Sequence, residues 1–276
     1  MSDDLYAVIG HPISHSKSPR IHSLFAAQTG EPVEYTAIQA PLDDFEGTVH
    51  RFFERGGKGL NVTVPFKEQA WKLAEQLTPA AESAGAVNTL FRDADGKLWG
   101  ENTDGTGLVR DLTVNHDVTI KGRRVLVLGA GGAVRGILAP LLAAQPAEVV
   151  IANRTASKAE ALAAGFDAGI PVTGCGFADV HGVFALIING TSASLQGDLP
   201  PLDPAIVDPA TVGYDMMYGA EVTPFNGWVL DQGAARAIDG LGMLVEQAAE
   251  SFYCWRGVRP QTVTVMAALR DGTSDT

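Results

Sequence analysis

"RRVLVLGAGGAVRGILAPLLAAQPAEVVIANRT" (residues 123–155) reads as strand, glycine turn, helix and strand. The apolar run Val125–Leu128 meets Gly129-Ala130-Gly131-Gly132-Ala133 and then a helical pattern. Glycines at such a turn let the backbone approach a pyrophosphate, whose charge meets the free N–H groups of the helix start. The strict G-x-G-x-x-G spacing fails, because Val134 occupies the third glycine position. The surrounding strand, helix and second strand still point to a dinucleotide site rather than a plain αβ turn. An NAD enzyme normally carries an acid at the end of the second strand, to bind the ribose hydroxyls. Here Asn153 and Arg154 stand there, with Thr155 next and Lys158 one helical turn on. Loss of the carboxylate and gain of two cations suit a 2′-phosphate, so NADP is the expected cofactor. The blander alternative makes Thr155 a helix cap and leaves Lys158 in solvent.

Outward from this unit, strand and helix alternate. Strands are expected at 6–10, 33–40, 61–64, 86–92, 183–190 and 212–218. Helices are expected at 18–30, 42–57 and 65–77, and again in the last 37 residues from Gly240. This pattern predicts an α/β protein with parallel sheets. A chain of 276 residues suits two domains, and the polar, glycine-bearing stretch at 101–107 is the expected boundary. Apolar residues make up 46% of the chain, yet no run approaches the roughly 20 residues that span a bilayer. The net charge of −12 argues against nucleic acid as a partner. Cys175 and Cys254 form neither a disulfide framework nor a zinc motif. The start "MSDDLYAVIG" carries acids where a signal peptide has bases, so a cytoplasmic location is expected.

"NVTVPFKE" (61–68) is a half-buried strand pattern halted by Pro65, which places Lys67 near a helix N-terminus. The helix dipole already supplies positive charge there, so a lysine is mildly misplaced. Hydride transfer to a carbonyl needs a proton donor for the developing alkoxide. No histidine or cysteine cluster offers a metal, and no Y-x-x-x-K pairing is present. Lys67 is a candidate, with Asp104 of "ENTDGTG" as a carboxylate that could hold it. Singly, one reads as a solvated lysine and the other as a turn.

Together "GHPISHSKSPRIH", "NVTVPFKE", "AGAVNTL", "ENTDG", "GAGGA", "NRT", "INGTS", "YDMMY" and "DGLGMLVEQAA" resemble the shikimate dehydrogenase family, in its order and over nearly the whole chain. The resemblance implies an oxidoreductase that reduces 3-dehydroshikimate to shikimate with NADPH, in aromatic amino acid biosynthesis. It implies a substrate domain of residues 1–104 completed by the helices of 240–276, with a Rossmann-like NADP-binding domain at 105–239. The family's catalytic pair falls on Lys67 and Asp104. Its substrate positions fall on Ser16, Ser18, Thr63, Asn88, Tyr218 and Gln247, and Met216 and Gly240 fall near the cofactor. Ser18-Pro19 alternatively reads as the N-cap and first residue of a helix. Gln247, apart from the resemblance, reads as a solvated residue.

Two departures stand out. Lys158 replaces a second arginine and would grip phosphate as a point charge. "GAEVTPFNGW" (219–228) departs from a leucine-rich continuation. The rival reading is a quinate/shikimate dehydrogenase with broader substrate or NAD use. A nucleotide-sensing, non-catalytic relative is a third, opposed by the intact Lys67 and Asp104. The implied partners are small molecules, with neither nucleic acid nor membrane, and a homodimer is the assembly to be tested.

Overall fold

A computed structural model describes residues 3–167, 169–191 and 199–272. The chain divides into two compact units, Met1–Gly107 with Val245–Leu269, and Leu108–Leu244 with Arg270–Thr276. The expected domain limits are 104/105 and 239/240. Asp104 opens a helix at the first of these positions, and within the second unit Arg270 forks onto Asp239 at 2.8 and 3.0 Å.

The first unit opens with β1 (Asp4–Gly10), α1 (Ser18–Thr29), β2 (Val33–Gln39), α2 (Phe45–Glu54) and β3 (Gly59–Val62). It continues through α3 (Lys67–Leu73), β4 (Gln76–Leu77), α4 (Pro79–Ala84), β5 (Thr89–Arg92) and β6 (Leu98–Glu101) to α5 (Asp104–Arg110). Its sheet has the order β2-β1-β3-β5-β6-β4. The expectation of parallel pairing fails for β5, which is antiparallel to both β3 and β6. Parallel neighbours need a crossover of a dozen or more residues, and the loop after Arg92 is far shorter. It closes through Asp93, whose carboxylate accepts N–H bonds from Asp95 and Lys97, and through Gly96 at φ 81°. The reversal has a consequence for function. The end of β3, the start of β5 and the end of β6 all come to one sheet edge. On one face Ala7, Ile9, Leu60 and Val62 pack with Phe45, Val49 and Phe52 of α2 and with Phe66. On the other, Tyr6 stacks on Trp255, which belongs to α9 (Leu241–Arg256); α10 (Val263–Asp271) follows it.

In the second unit a π-helical stretch, Asp111–Asn115, leads to β7 (Arg124–Leu128), α6 (Gly132–Ala143), β8 (Glu148–Asn153) and α7 (Ala156–Ala163). Then come β9 (Val172–Gly176), β10 (Leu186–Asn189), β11 (Val212–Asp215), α8 (Pro224–Asp231) and β12 (Arg236–Asp239). The strands pair in parallel in the order β12-β11-β10-β7-β8-β9, the doubly wound arrangement. Alternation along β7 explains its unbroken apolar run. Val125 and Val127 face the cluster holding Ile137 and Leu141 of α6, while Leu126 and Leu128 face the cluster holding Phe225 and Val229 of α8. Order reverses between β7 and β10, where open α/β sheets bind ligands.

Candidate active site and cofactor cradle

Lys67 is the first residue of α3 and Asp104 the first of α5. The sheet reversal brings them together, and Lys67 Nζ donates to Asp104 Oδ2 at 2.6 Å. Asn88 Nδ2 donates to the other oxygen, Asp104 Oδ1, at 2.9 Å. The orientation of the Asn88 amide follows from its other end. Oδ1 accepts the Thr103 backbone N–H and the Thr89 hydroxyl, each at 2.9 Å, so the NH₂ group must face Asp104. Asn88 Nδ2 also lies 3.3 Å from Gln247 Oε1. Lys67, Asp104, Asn88 and Gln247 thus form one constellation. Gln247 is half-buried rather than solvated.

Ser16 and Ser18 sit at the start of α1, where the Ser18 N–H donates to Ser16 Oγ at 3.3 Å. The N-cap is Lys17, so Ser18 occupies the first helical position rather than the cap. Its buried side chain instead bonds Tyr35, whose own hydroxyl donates to Asn61 Oδ1 at 2.7 Å. Thr63 follows β3, its backbone N–H on Ile9 at 3.0 Å. Asn61, Thr89, Thr103 and Ser251 complete a buried polar network that sequence reasoning did not single out. Asn61, Thr89 and Thr103 lie inside quoted motifs, but Ser251 gave no signal on an apolar helix face. Behind the network His22 stacks on Tyr35, with centroids 4.1 Å apart and planes within 2°. Burial lowers the His22 pKa to about 3, and neither ring nitrogen has a hydrogen-bond partner among the described residues. The ring is neutral at physiological pH.

In the second unit the ends of β7 and β10 meet closely. Gly129 takes φ 105°, and a Cβ there would lie 3.2 Å from the Gly190 carbonyl oxygen. A cavity of about 590 Å³ opens over this turn, lined by Gly129 to Ala133, Asn153, Arg154, Phe177, Gly190 and Thr191 among others. Gly131 and Gly132 have open space where a Cβ would project, the clearance that close approach of a pyrophosphate requires. Arg154 in the wall and the absence of an acid at the end of β8 fit a 2′-phosphate. Thr155 is the N-cap of α7, and Lys158 lies in that helix's first turn. Neither lines the cavity. Met216 and Gly240 lie outside the lining too, though a Cβ on Gly190 would approach Met216 Sδ to 3.1 Å, and Gly240 packs on the Met216 carbonyl. Tyr218, also in this unit, is 37% exposed. Phe177, Gly190 and Thr191 are wall residues that the sequence reading did not assign.

Known proteins share this sequence and fold. Profiles described as shikimate dehydrogenase substrate binding domain, shikimate/quinate 5-dehydrogenase and shikimate 5′-dehydrogenase C-terminal domain match residues 8–90, 112–193 and 240–270. A shikimate dehydrogenase (NADP(+)) of Marinobacter nauticus is 66% identical over 98% of this chain and 99% of its own. The crystal structure of an Ael1 enzyme from Pseudomonas putida has a TM-score of 0.92 at 47% identity, covering 97% of this chain and 98% of its own. Shikimate 5-dehydrogenase from Thermus thermophilus, solved with NADP(H) and shikimate, has a TM-score of 0.83 at 30% identity over 97% and 99%. With such agreement over nearly its full length, the chain belongs to the shikimate dehydrogenase family.

Proposed function

We propose that this enzyme reduces 3-dehydroshikimate to shikimate with NADPH, reversibly, using Lys67 and Asp104 as its catalytic pair. The carrying observation is the 2.6 Å bond from Lys67 Nζ to Asp104 Oδ2, with Asn88 on the second carboxylate oxygen. Asp104 holds the ammonium at a fixed place. An ammonium so held can give its proton to a ketone oxygen as negative charge develops there, and in the reverse direction the amine takes it back. NADPH, when bound, supplies the hydride. Gln247 presents a neutral amide suited to ring hydroxyls, and we assign Asn88, Ser16, Ser18, Thr63 and Tyr218 to the same substrate. The Gly129–Ala133 turn would take the pyrophosphate and Arg154 the 2′-phosphate, with Asn153, Thr155 and Lys158 beside it. Met216 and Gly240 would flank the nicotinamide. Residues 1–107 with 245–269 then form the substrate domain, and residues 108–244 form the cofactor domain.

The test is kcat/KM for shikimate and quinate, each with NADP⁺ and NAD⁺. Shikimate with NADP⁺ should exceed every other combination by at least about ten-fold. A preference for quinate or for NAD⁺ would replace this reading with its rival. Reaction in the cytoplasm, as a homodimer, completes the proposal; cell fractionation and sedimentation test those two parts.

A further inference from the structure

We infer that Ser251 is a positioning residue for substrate binding, acting through Asn88 and Gln247; the inference rests on the assignment of those two residues to the substrate. Ser251 lies one helical turn beyond Gln247 on α9, fully buried beside the apolar Ala248 and Phe252. Its Oγ is 2.9 Å from Asn61 Nδ2, 2.7 Å from Thr89 Oγ1, 3.3 Å from Thr103 Oγ1 and 3.1 Å from the Gln247 carbonyl. A hydroxyl has one proton and two lone pairs. Asn61 can only donate here, so it takes one lone pair. The Gln247 carbonyl can only accept, so the single Ser251 proton is shared between it and Thr89 Oγ1, whose own proton is directed at Asn88 Oδ1. The order Ser251 to Thr89 to Asn88 then saturates the Asn88 carbonyl and turns its NH₂ toward Asp104 and Gln247. The same oxygen joins α9, which carries Gln247, to the β3 and β5 strand ends.

Packing alone does not explain a serine at this position. Alanine would suit the helix better and bury no polar group. A serine retained in mid-helix, with each partner on a residue of the polar network, points to orientation as its role.

The experiment is steady-state kinetics of Ser251→Ala with shikimate and NADP⁺, together with Ser251→Thr and Ser251→Val, which add equal bulk but differ in the hydroxyl. Removing one buried hydrogen-bond partner should raise the KM for shikimate about five-fold. The KM for NADP⁺ should stay within about two-fold, and kcat should fall less than the KM rises. Ser251→Thr should restore the shikimate KM toward that of the unaltered enzyme while Ser251→Val does not, both being checked for folding by circular dichroism. A role confined to stability would lower the melting temperature and leave the KM unmoved. An unchanged KM in a folded Ser251→Ala, or equal KM values in the Thr and Val variants, overturns the inference. If the unaltered enzyme fails to oxidise shikimate at all, the functional reading falls instead.

Discussion

Lys67 stands where the partial positive charge of a helix start opposes an ammonium, and its carboxylate partner lies nearly forty positions away in sequence. Replacing Lys67 with Met removes the transferable proton and keeps most of the side-chain length. We expect kcat to fall by about 10²–10⁴ with a much smaller change in shikimate affinity, read by stopped-flow turnover and calorimetry. Near-normal kcat would remove Lys67 from the chemistry. The sequence made this residue conspicuous because its charge is locally unfavourable; Ser251 and Asn61 gain their meaning only from residues brought alongside by the fold. His22 was equally silent, and it supports a different prediction. Its pKa is about 3 in the folded state, against roughly 6.5 when unfolded. The unfolded chain therefore binds the extra proton between those values, and stability falls as pH drops below about 6.5. From pH 6.5 to 4.5 the native enzyme should lose about 2 kcal/mol more than His22→Phe, which keeps an aromatic ring against Tyr35. Urea unfolding of both proteins at the two pH values measures the difference. Parallel curves would show that His22 is not held neutral by the fold.

Helix α7 approaches β9 so closely that a Cβ on Gly174 would lie 2.3 Å from the carbonyl carbon and oxygen of Ala159. Backbone cannot yield as a flexible side-chain tip would. Gly174→Ala should therefore destabilise the enzyme by about 1–3 kcal/mol through overpacking, seen as a lower urea midpoint; an unshifted midpoint would mean that the helix rides free of the strand. Legibility varied from element to element for physical reasons. Strands β7, β10 and β11 were readable because both faces are buried, which gives continuous apolar runs. β9 (VTGCG), β12 (RAID) and β6 (LWGE) are short and carry glycines or charges, so they show no period. Missing β6 also concealed the sheet reversal that delivers Asp104 to Lys67. Helix α3 was expected to extend to Leu77, but it stops at Leu73 because β4 is drawn into pairing with β6.

At the scale of the whole molecule, a protein of net charge −12 binds a cofactor that is itself an anion. Charges beyond about 8–10 Å are screened at physiological salt, so local groups decide the outcome. In the proposed reading those groups are the glycine-turn N–H groups, which would serve NAD⁺ and NADP⁺ alike, and the cations Arg154 and Lys158, which would favour the 2′-phosphate. Ligand at about 100 times its Kd adds about 2.7 kcal/mol to the stability of the state that binds it. For a protein of this size that corresponds to a rise in Tm of roughly 5–10 °C. NADP⁺ should produce such a rise while NAD⁺ at the same concentration produces less than half of it. Arg154→Ala should bring the NADP⁺ shift down to that of NAD⁺ and leave the NAD⁺ shift in place, because the turn itself is untouched. Added potassium chloride should erode the NADP⁺ shift the more strongly, as expected for a contact between exposed charges. Equal shifts by the two nucleotides, or an Arg154→Ala variant that still separates them, would place the selectivity in residues other than those at the end of β8.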